Sequence, residues 1–302
     1  MSLQPDVLVG SYTPLVTPFI DGKIDEDSYA NLVQFQRREG SRGIVVCGTS
    51  GEPSLLTIAE RQRLADVAIE AAAGTIPVVV ATGAQSLAET EALTEHAVKR
   101  GADALLIVTP YYSRPSERGL IEYFVQIGRT TEIPWLLYHI PGRAAVGVTI
   151  AGLEAIAARC DSFVGIKHAA PDLGLVSECL LSFGEQFRVM VGLEELSFPM
   201  LALGASGVIN AVGNVAPRQV QALCDAVAAQ DLQLARKLHY ELFALNRAVF
   251  WDTNPVPVKY LMRLLGVLPR NEHRLPMLPA SPELEKRLDD LARRVGLTNA
   301  QS

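Results

Sequence analysis

The chain alternates between short, almost unbroken apolar runs and longer stretches whose apolar positions recur every three or four residues. Eight runs stand out: Tyr12–Pro18, Gly43–Cys47, Pro77–Ala81, Ala104–Thr109, Trp135–Ile140, Phe163–Lys167, Arg188–Val191 and Gly207–Asn210. A run without polar alternation predicts a strand covered on both faces, as parallel strands are. Between the runs, Asp25–Gly40 sets Tyr29, Leu32, Val33 and Gln36 on one stripe and stops at a glycine, the pattern of an amphipathic helix. Thr149–Cys160 and Leu173–Phe183 carry similar spacing. Thr57-Ile-Ala-Glu60 and Ser86-Leu-Ala-Glu89 read as capping boxes, in which hydroxyl and carboxylate each satisfy an orphan backbone N–H.

Eight strand-helix units within about 220 residues predict an α/β fold of the closed (β/α)8 TIM barrel type; a doubly wound open sheet uses fewer strands. Past Pro217 the strand runs cease, and Arg218–Ala229, Leu232–Phe250, Pro255–Leu265 and Pro282–Val295 read as helices. The expected organisation is a catalytic barrel over residues 1–225 and a C-terminal helical appendage over 226–302.

Composition narrows the partners. With 302 residues, 49% of them hydrophobic, the chain can bury a full core without disulfide or metal. A net charge of -6 with scattered basic residues argues against nucleic acid, which demands clustered Lys and Arg. The opening segment lacks a cationic stretch followed by an apolar one, and the apolar runs are strand-length, short of a membrane span. A cytoplasmic protein with no membrane partner is expected. Cys47, Cys160, Cys179 and Cys224 are far apart and form no CxxC pair, so reduced, buried thiols are expected.

In such a barrel the chemistry sits at the C-terminal ends of the strands. The runs end on Thr49-Ser50-Gly51-Glu52, Thr82-Gly83-Ala84, Thr109-Pro110-Tyr111-Tyr112, Tyr138-His139 followed by Arg143, Lys167-His168, Glu194-Glu195 and Asn210. Hydroxyls and a single lysine dominate. An amine at the mouth of an apolar strand is partly desolvated, which favours the neutral nucleophile that imine formation needs. The bland alternative is a lysine that snorkels to solvent. Tyr138, ending the preceding strand, suits proton shuttling to that amine, or is merely packing. Gly48-Thr49-Ser50-Gly51 offers hydroxyls and turn N–H groups for a small carboxylate, or is a simple strand-to-helix turn. No metal site is expected, because only His139 and His168 among the histidines fall at strand ends. No cofactor is expected either: GxSxG is absent, and no GxGxxG follows a strand.

Taken in order, Val16-Thr-Pro18, Gly48-Thr-Ser-Gly-Glu52, Thr109-Pro-Tyr-Tyr112 with Arg114-Pro115, Leu137-Tyr138, Gly165-Ile-Lys167, Gly207-Val-Ile209 and Asn254-Pro-Val-Pro-Val-Lys259 give the chain a family likeness. It resembles the dihydrodipicolinate synthase and N-acetylneuraminate lyase group of pyruvate-dependent class I aldolases, over nearly its whole length. The resemblance implies that Lys167 forms the Schiff base, Tyr138 transfers protons, and Thr49 relays toward Tyr112, which such enzymes take from a neighbouring subunit. It implies a homodimer or homotetramer, with pyruvate and an aldehyde as small-molecule substrates. Thr49 and Ser50 would hold the pyruvate carboxylate, Gly192 and Ile209 would line the imine pocket, and Arg143 would bind the carboxylate of aspartate semialdehyde.

Departures from the synthase pattern bear on the second substrate. His168 stands where synthases usually carry Glu, and Ala144-Ala145 replaces Thr-Gly. Glu194-Glu195 falls where lyases of the group bind a polyol tail, or else marks a helix N-terminus. Glu89 matches the allosteric lysine site of some synthases but Ile58 and Arg61 replace its histidines, so lysine feedback is not expected. The expectation is condensation of a pyruvate enamine with aspartate semialdehyde. The alternatives are an aldolase or dehydratase of a 2-oxo-3-deoxy sugar acid, and a non-catalytic barrel that binds a 2-oxo acid.

Overall fold

The computed structural model describes residues 7–297. Eight parallel strands close into a barrel: β1 (Gly10–Pro14), β2 (Gly43–Val46), β3 (Val78–Ala81), β4 (Ala104–Val108), β5 (Trp135–His139), β6 (Phe163–His168), β7 (Arg188–Val191) and β8 (Gly207–Val208). Each pairs with its sequence neighbours, and β1 closes the ring between β2 and β8. The helices that alternate with them are α1 (Glu26–Arg38), α2 (Ile58–Ala72), α3 (Leu87–Arg100), α4 (Glu117–Gly128), α5 (Ile150–Ala157), α6 (Leu173–Phe183), α7 (Ser197–Ala202) and α8 (Pro217–Ala228).

The unbroken apolar runs are explained by two cores. Side chains alternate across a strand, so Val45, Val79, Leu106, Leu136, Tyr138, Met190 and Ile209 fill the barrel interior. Their neighbours Ile44, Val46, Val78, Val80, Leu105, Ile107, Leu137, Ile166 and Val189 pack outward against the helices. Cys47, Cys160, Cys179 and Cys224 are all buried free thiols.

The ends differ from expectation by a few residues. The first strand begins at Gly10 and ends at Pro14, and the chain then enters a small antiparallel hairpin of Phe19–Ile20 with Lys23–Ile24. The last strand stops at Val208, although the Ile209 N–H still donates to the Val191 carbonyl at 2.8 Å. Thr57 and Glu60 form the full capping box. Ser86 accepts from the Glu89 N–H without the return bond from the Glu89 carboxylate, so only half of the second box forms.

Three further helices follow among the described residues: α9 (Leu232–Ala248), α10 (Val256–Leu264) and α11 (Pro282–Arg294). The expected boundary at 225/226 falls inside α8, which packs on β1 and belongs to the barrel's outer ring. Its amphipathic pattern runs to the turn at 229–231, where Asp231 caps α9. Among the described residues, no helix is long and apolar enough to cross a membrane, and no group of His, Cys, Asp or Glu is arranged to hold a metal ion.

Candidate active site

Tyr138 on β5 and Lys167 on β6 are register partners, so strand pairing sets them side by side. Both carry the parity of the barrel interior, and both are buried, 5% and 4% exposed. The Lys167 Nζ lies 4.0 Å from the centroid of the Tyr138 ring. Gly192, just past β7, makes room for this lysine, since a Cβ there would meet the Lys167 Cε at 3.0 Å and the Ala169 Cβ at 2.8 Å. Ile209 packs in the same interior cluster as Tyr138.

The Tyr138 hydroxyl is 3.1 Å from the Thr49 Oγ1. Thr49 begins a tight 3-10 turn, Thr49–Gly51, that leaves β2, and Glu52 ends the turn in a left-handed conformation with φ +56°. Ser50 is buried on this turn, where its hydroxyl accepts from the Asn254 Nδ2 at 3.0 Å. An amine, a phenol and a threonine hydroxyl thus follow one another at the same strand ends, an arrangement suited to adding an amine to a carbonyl while moving protons.

Above them opens a cavity of about 310 Å³, lined by Thr49, Glu52, Tyr111, Tyr138, Arg143 and Met277 among others. Lys167 is not itself part of the cavity wall; it packs on the Tyr138 ring that is. Arg143 sits on the short helix Pro141–Ala144, where its backbone N–H donates to the Ile140 carbonyl at 3.0 Å, and its guanidinium has no hydrogen bond or ion pair among the described residues. A guanidinium so placed has the fork of donors that suits a carboxylate.

Three expected residues stand elsewhere. Tyr112 is 90% exposed, with φ +75°, while its neighbour Tyr111 lines the cavity. Glu195 faces solvent beside Arg247, with 3.4 Å between Oε1 and Nε. Glu194 is buried outside the cavity lining: its Oε1 accepts from the Ala211 N–H at 2.6 Å, and its Oε2 has no hydrogen-bond partner among the described residues. One of these carboxylates serves the backbone after β8, and the other lies beside a surface arginine.

Burial pushes the Glu194 carboxyl up to about 7, against the opposing pull of the Ala211 N–H. A carboxyl raised in the folded state favours the protonated form there. Its contribution to stability is therefore present below the unfolded value near 4.3 and lost as pH rises through about 7. Glu194→Gln is expected to raise the melting temperature at pH 8 and to leave it nearly unchanged at pH 4, as followed by thermal unfolding at both values.

The C-terminal segment contributes more to this site than the strand ends foretold, mostly from the connections between its helices. Thr253, Asn254, Pro255, Pro276 and Met277 line the cavity, and Lys259 reaches the Thr49–Glu52 turn through Glu52. Asn254 and Lys259 belong to one of the sequence motifs, but motif order alone assigns them no contact. Tyr111 had a signal too, at the end of its strand run beside Tyr112.

Comparisons with known proteins identify the family to which this fold belongs. The model of the dihydrodipicolinate synthetase family matches residues 7–295. A 4-hydroxy-tetrahydrodipicolinate synthase of Thermus thermophilus is 42% identical over 289 residues, 95% of this chain and 96% of the relative. The crystal structure of dihydrodipicolinate synthase from Aquifex aeolicus superposes with a TM-score of 0.94 at 38% identity, covering 97% of this chain and all of that one. A chloride-inhibited dihydrodipicolinate synthase from Acinetobacter baumannii, solved with pyruvate, gives a TM-score of 0.93 at 32% identity, over 96% of this chain and 100% of that one. With matches that span both chains almost end to end, this protein belongs to the dihydrodipicolinate synthetase family, lyases of the class I aldolase type.

Proposed function

We propose that this protein is a 4-hydroxy-tetrahydrodipicolinate synthase, condensing pyruvate with aspartate semialdehyde through a Schiff base on Lys167. The observation that carries the reading is the sequence of Lys167 Nζ, Tyr138 ring and hydroxyl, and Thr49 hydroxyl beneath a cavity that holds an unpaired Arg143.

The Lys167 amine adds to the pyruvate ketone, and Tyr138 passes a proton to the departing hydroxyl, so that water leaves and an imine forms. Loss of a methyl proton gives the enamine, whose carbon attacks the aldehyde carbon and turns its oxygen into a hydroxyl. The acceptor's own amine then displaces Lys167 from the imine carbon, closing the ring and freeing the lysine. One water is released overall. Ser50 and Thr49, on the turn that ends β2, hold the pyruvate carboxylate; Gly192 and Ile209 shape the space around the imine; Arg143 holds the acceptor carboxylate. The polyol-aldolase alternative loses support because Glu194 and Glu195 are engaged elsewhere.

Tyr112 completes the relay in a second copy of the chain, which its 90% exposure supports and which requires at least a homodimer, with a homotetramer as the larger form. The scattered charge and the lack of a membrane-spanning helix among the described residues support a cytoplasmic setting.

Tyr138→Phe keeps the ring under the lysine and removes the proton carrier, so kcat is expected to fall by about 10²–10⁴-fold. Arg143→Ala removes a charge-assisted contact made by the acceptor alone; such a contact contributes about 1.5–3 kcal/mol, or roughly 10–100-fold in the semialdehyde KM. Steady-state kinetics with both substrates varied checks each. A semialdehyde KM unchanged by Arg143→Ala, or no turnover of this pair by the unaltered protein, overturns the assignment.

A further inference from the structure

On the outward side of the same two strand ends lies a pair of buried histidines that the proposed chemistry does not use. His139 and His168 directly follow Tyr138 and Lys167 and are themselves register partners on β5 and β6. Their rings are stacked at 9° with centroids 5.3 Å apart, and their Nδ1 atoms approach to 3.1 Å. They are 6% and 1% exposed.

The surroundings of this pair dictate where its hydrogens sit. The His168 Nε2 lies 2.9 Å from the Asp172 carbonyl, which only accepts, so that nitrogen carries a hydrogen. The Nδ1 of a neutral His168 is then bare, and the His139 Nδ1–H donates to it. Burial holds both rings below the usual imidazole range, His139 down to about 4, with His168 as the next cause for that ring. The other end of the His139 ring meets Gly147: a Cβ there would lie 2.9 Å from the His139 Nε2. Gly147 belongs to the segment that leaves the short helix bearing Arg143, through Ala145 at φ +58°.

The His139 ring is thus wedged between the strand that carries Lys167 and the segment that carries Arg143. We infer that His139 and His168 are positioning residues that set Arg143 relative to Lys167, and so govern binding of the carboxylate-bearing acceptor without taking part in imine formation. This rests on the reading of Lys167 and Arg143 proposed above.

The test separates the two substrates. His139→Phe keeps the ring against Gly147 but leaves the His168 Nδ1 buried without a donor; His139→Asn returns an N–H near the lost one. Gly147→Ala presses on the wedge from the other side and alters neither histidine. For His139→Phe and Gly147→Ala, the acceptor KM is expected to rise on the order of tenfold. His139→Asn is expected to restore it to within about threefold, and borohydride trapping of pyruvate should match the unaltered protein in all three. An acceptor KM unchanged by both His139→Phe and Gly147→Ala, an equal loss of pyruvate trapping and acceptor binding, or no rescue by His139→Asn overturns the inference. Failure of the unaltered protein to trap pyruvate overturns instead the reading on which it rests.

Discussion

Lys167→Ala is expected to remove condensation activity by about 10⁴-fold or more, with little change in fold or thermal stability. The amine is the only group at the strand ends able to form an imine, and losing a covalent nucleophile leaves only binding and orientation to accelerate the reaction. The side chain also packs on the Tyr138 ring and fits into space left by Gly192. Truncation to Ala therefore opens a small cavity near the barrel mouth, not an uncompensated buried charge. Circular dichroism and thermal unfolding should show a native barrel while the steady-state rate falls to background. A variant retaining more than about a hundredth of the rate would place the nucleophile elsewhere.

The second large effect is one of stability. Lys259→Met is expected to destabilise the protein by about 3–5 kcal/mol, because it leaves the Glu52 carboxylate buried without its counter-ion. Lys259 is fully buried, and its Nζ donates to the Glu52 Oε1 at 3.0 Å and to the Glu272 carbonyl. The Glu52 Oε2 faces the His273 Nδ1 at 3.4 Å. Burial pulls the Lys259 amine below its usual range, and Glu52 opposes that pull. The melting temperature should fall on the order of 10 °C. Because Glu52 ends the turn that carries Thr49 and Ser50, activity should fall with it. Removing both charges, in Glu52→Gln with Lys259→Met, should recover most of the loss, since a neutral buried pair leaves no orphaned ion. A single variant within about 1 kcal/mol of the unaltered protein would contradict this account.

Much of this was legible in the chain. A barrel strand covered on both faces needs apolar residues at both parities, so its runs appear as unbroken blocks that can be counted. The residues at their ends then name the polar groups at the mouth, among them Lys167, Tyr138, Thr49 and Arg143. Local spacing carries no information about where a carboxylate turns. Glu194 bonds to the Ala211 N–H across 17 positions, and Glu195 meets Arg247 on a helix from the appendage. The same limit hid the clasp between Glu52 and Lys259, 207 positions apart, and with it the degree to which the C-terminal segment completes the cavity. The His139–His168 contact depends on strand register, which fixes both side chains on the outward face but is invisible in either strand alone.

The central claim is that Lys167 is the imine-forming nucleophile. Borohydride reduction in the presence of pyruvate, followed by peptide mapping, tests it most directly. The account predicts one stable adduct, carried by the peptide that contains Lys167 and lost in Lys167→Ala. An absent adduct, or one that persists in Lys167→Ala, would contradict it.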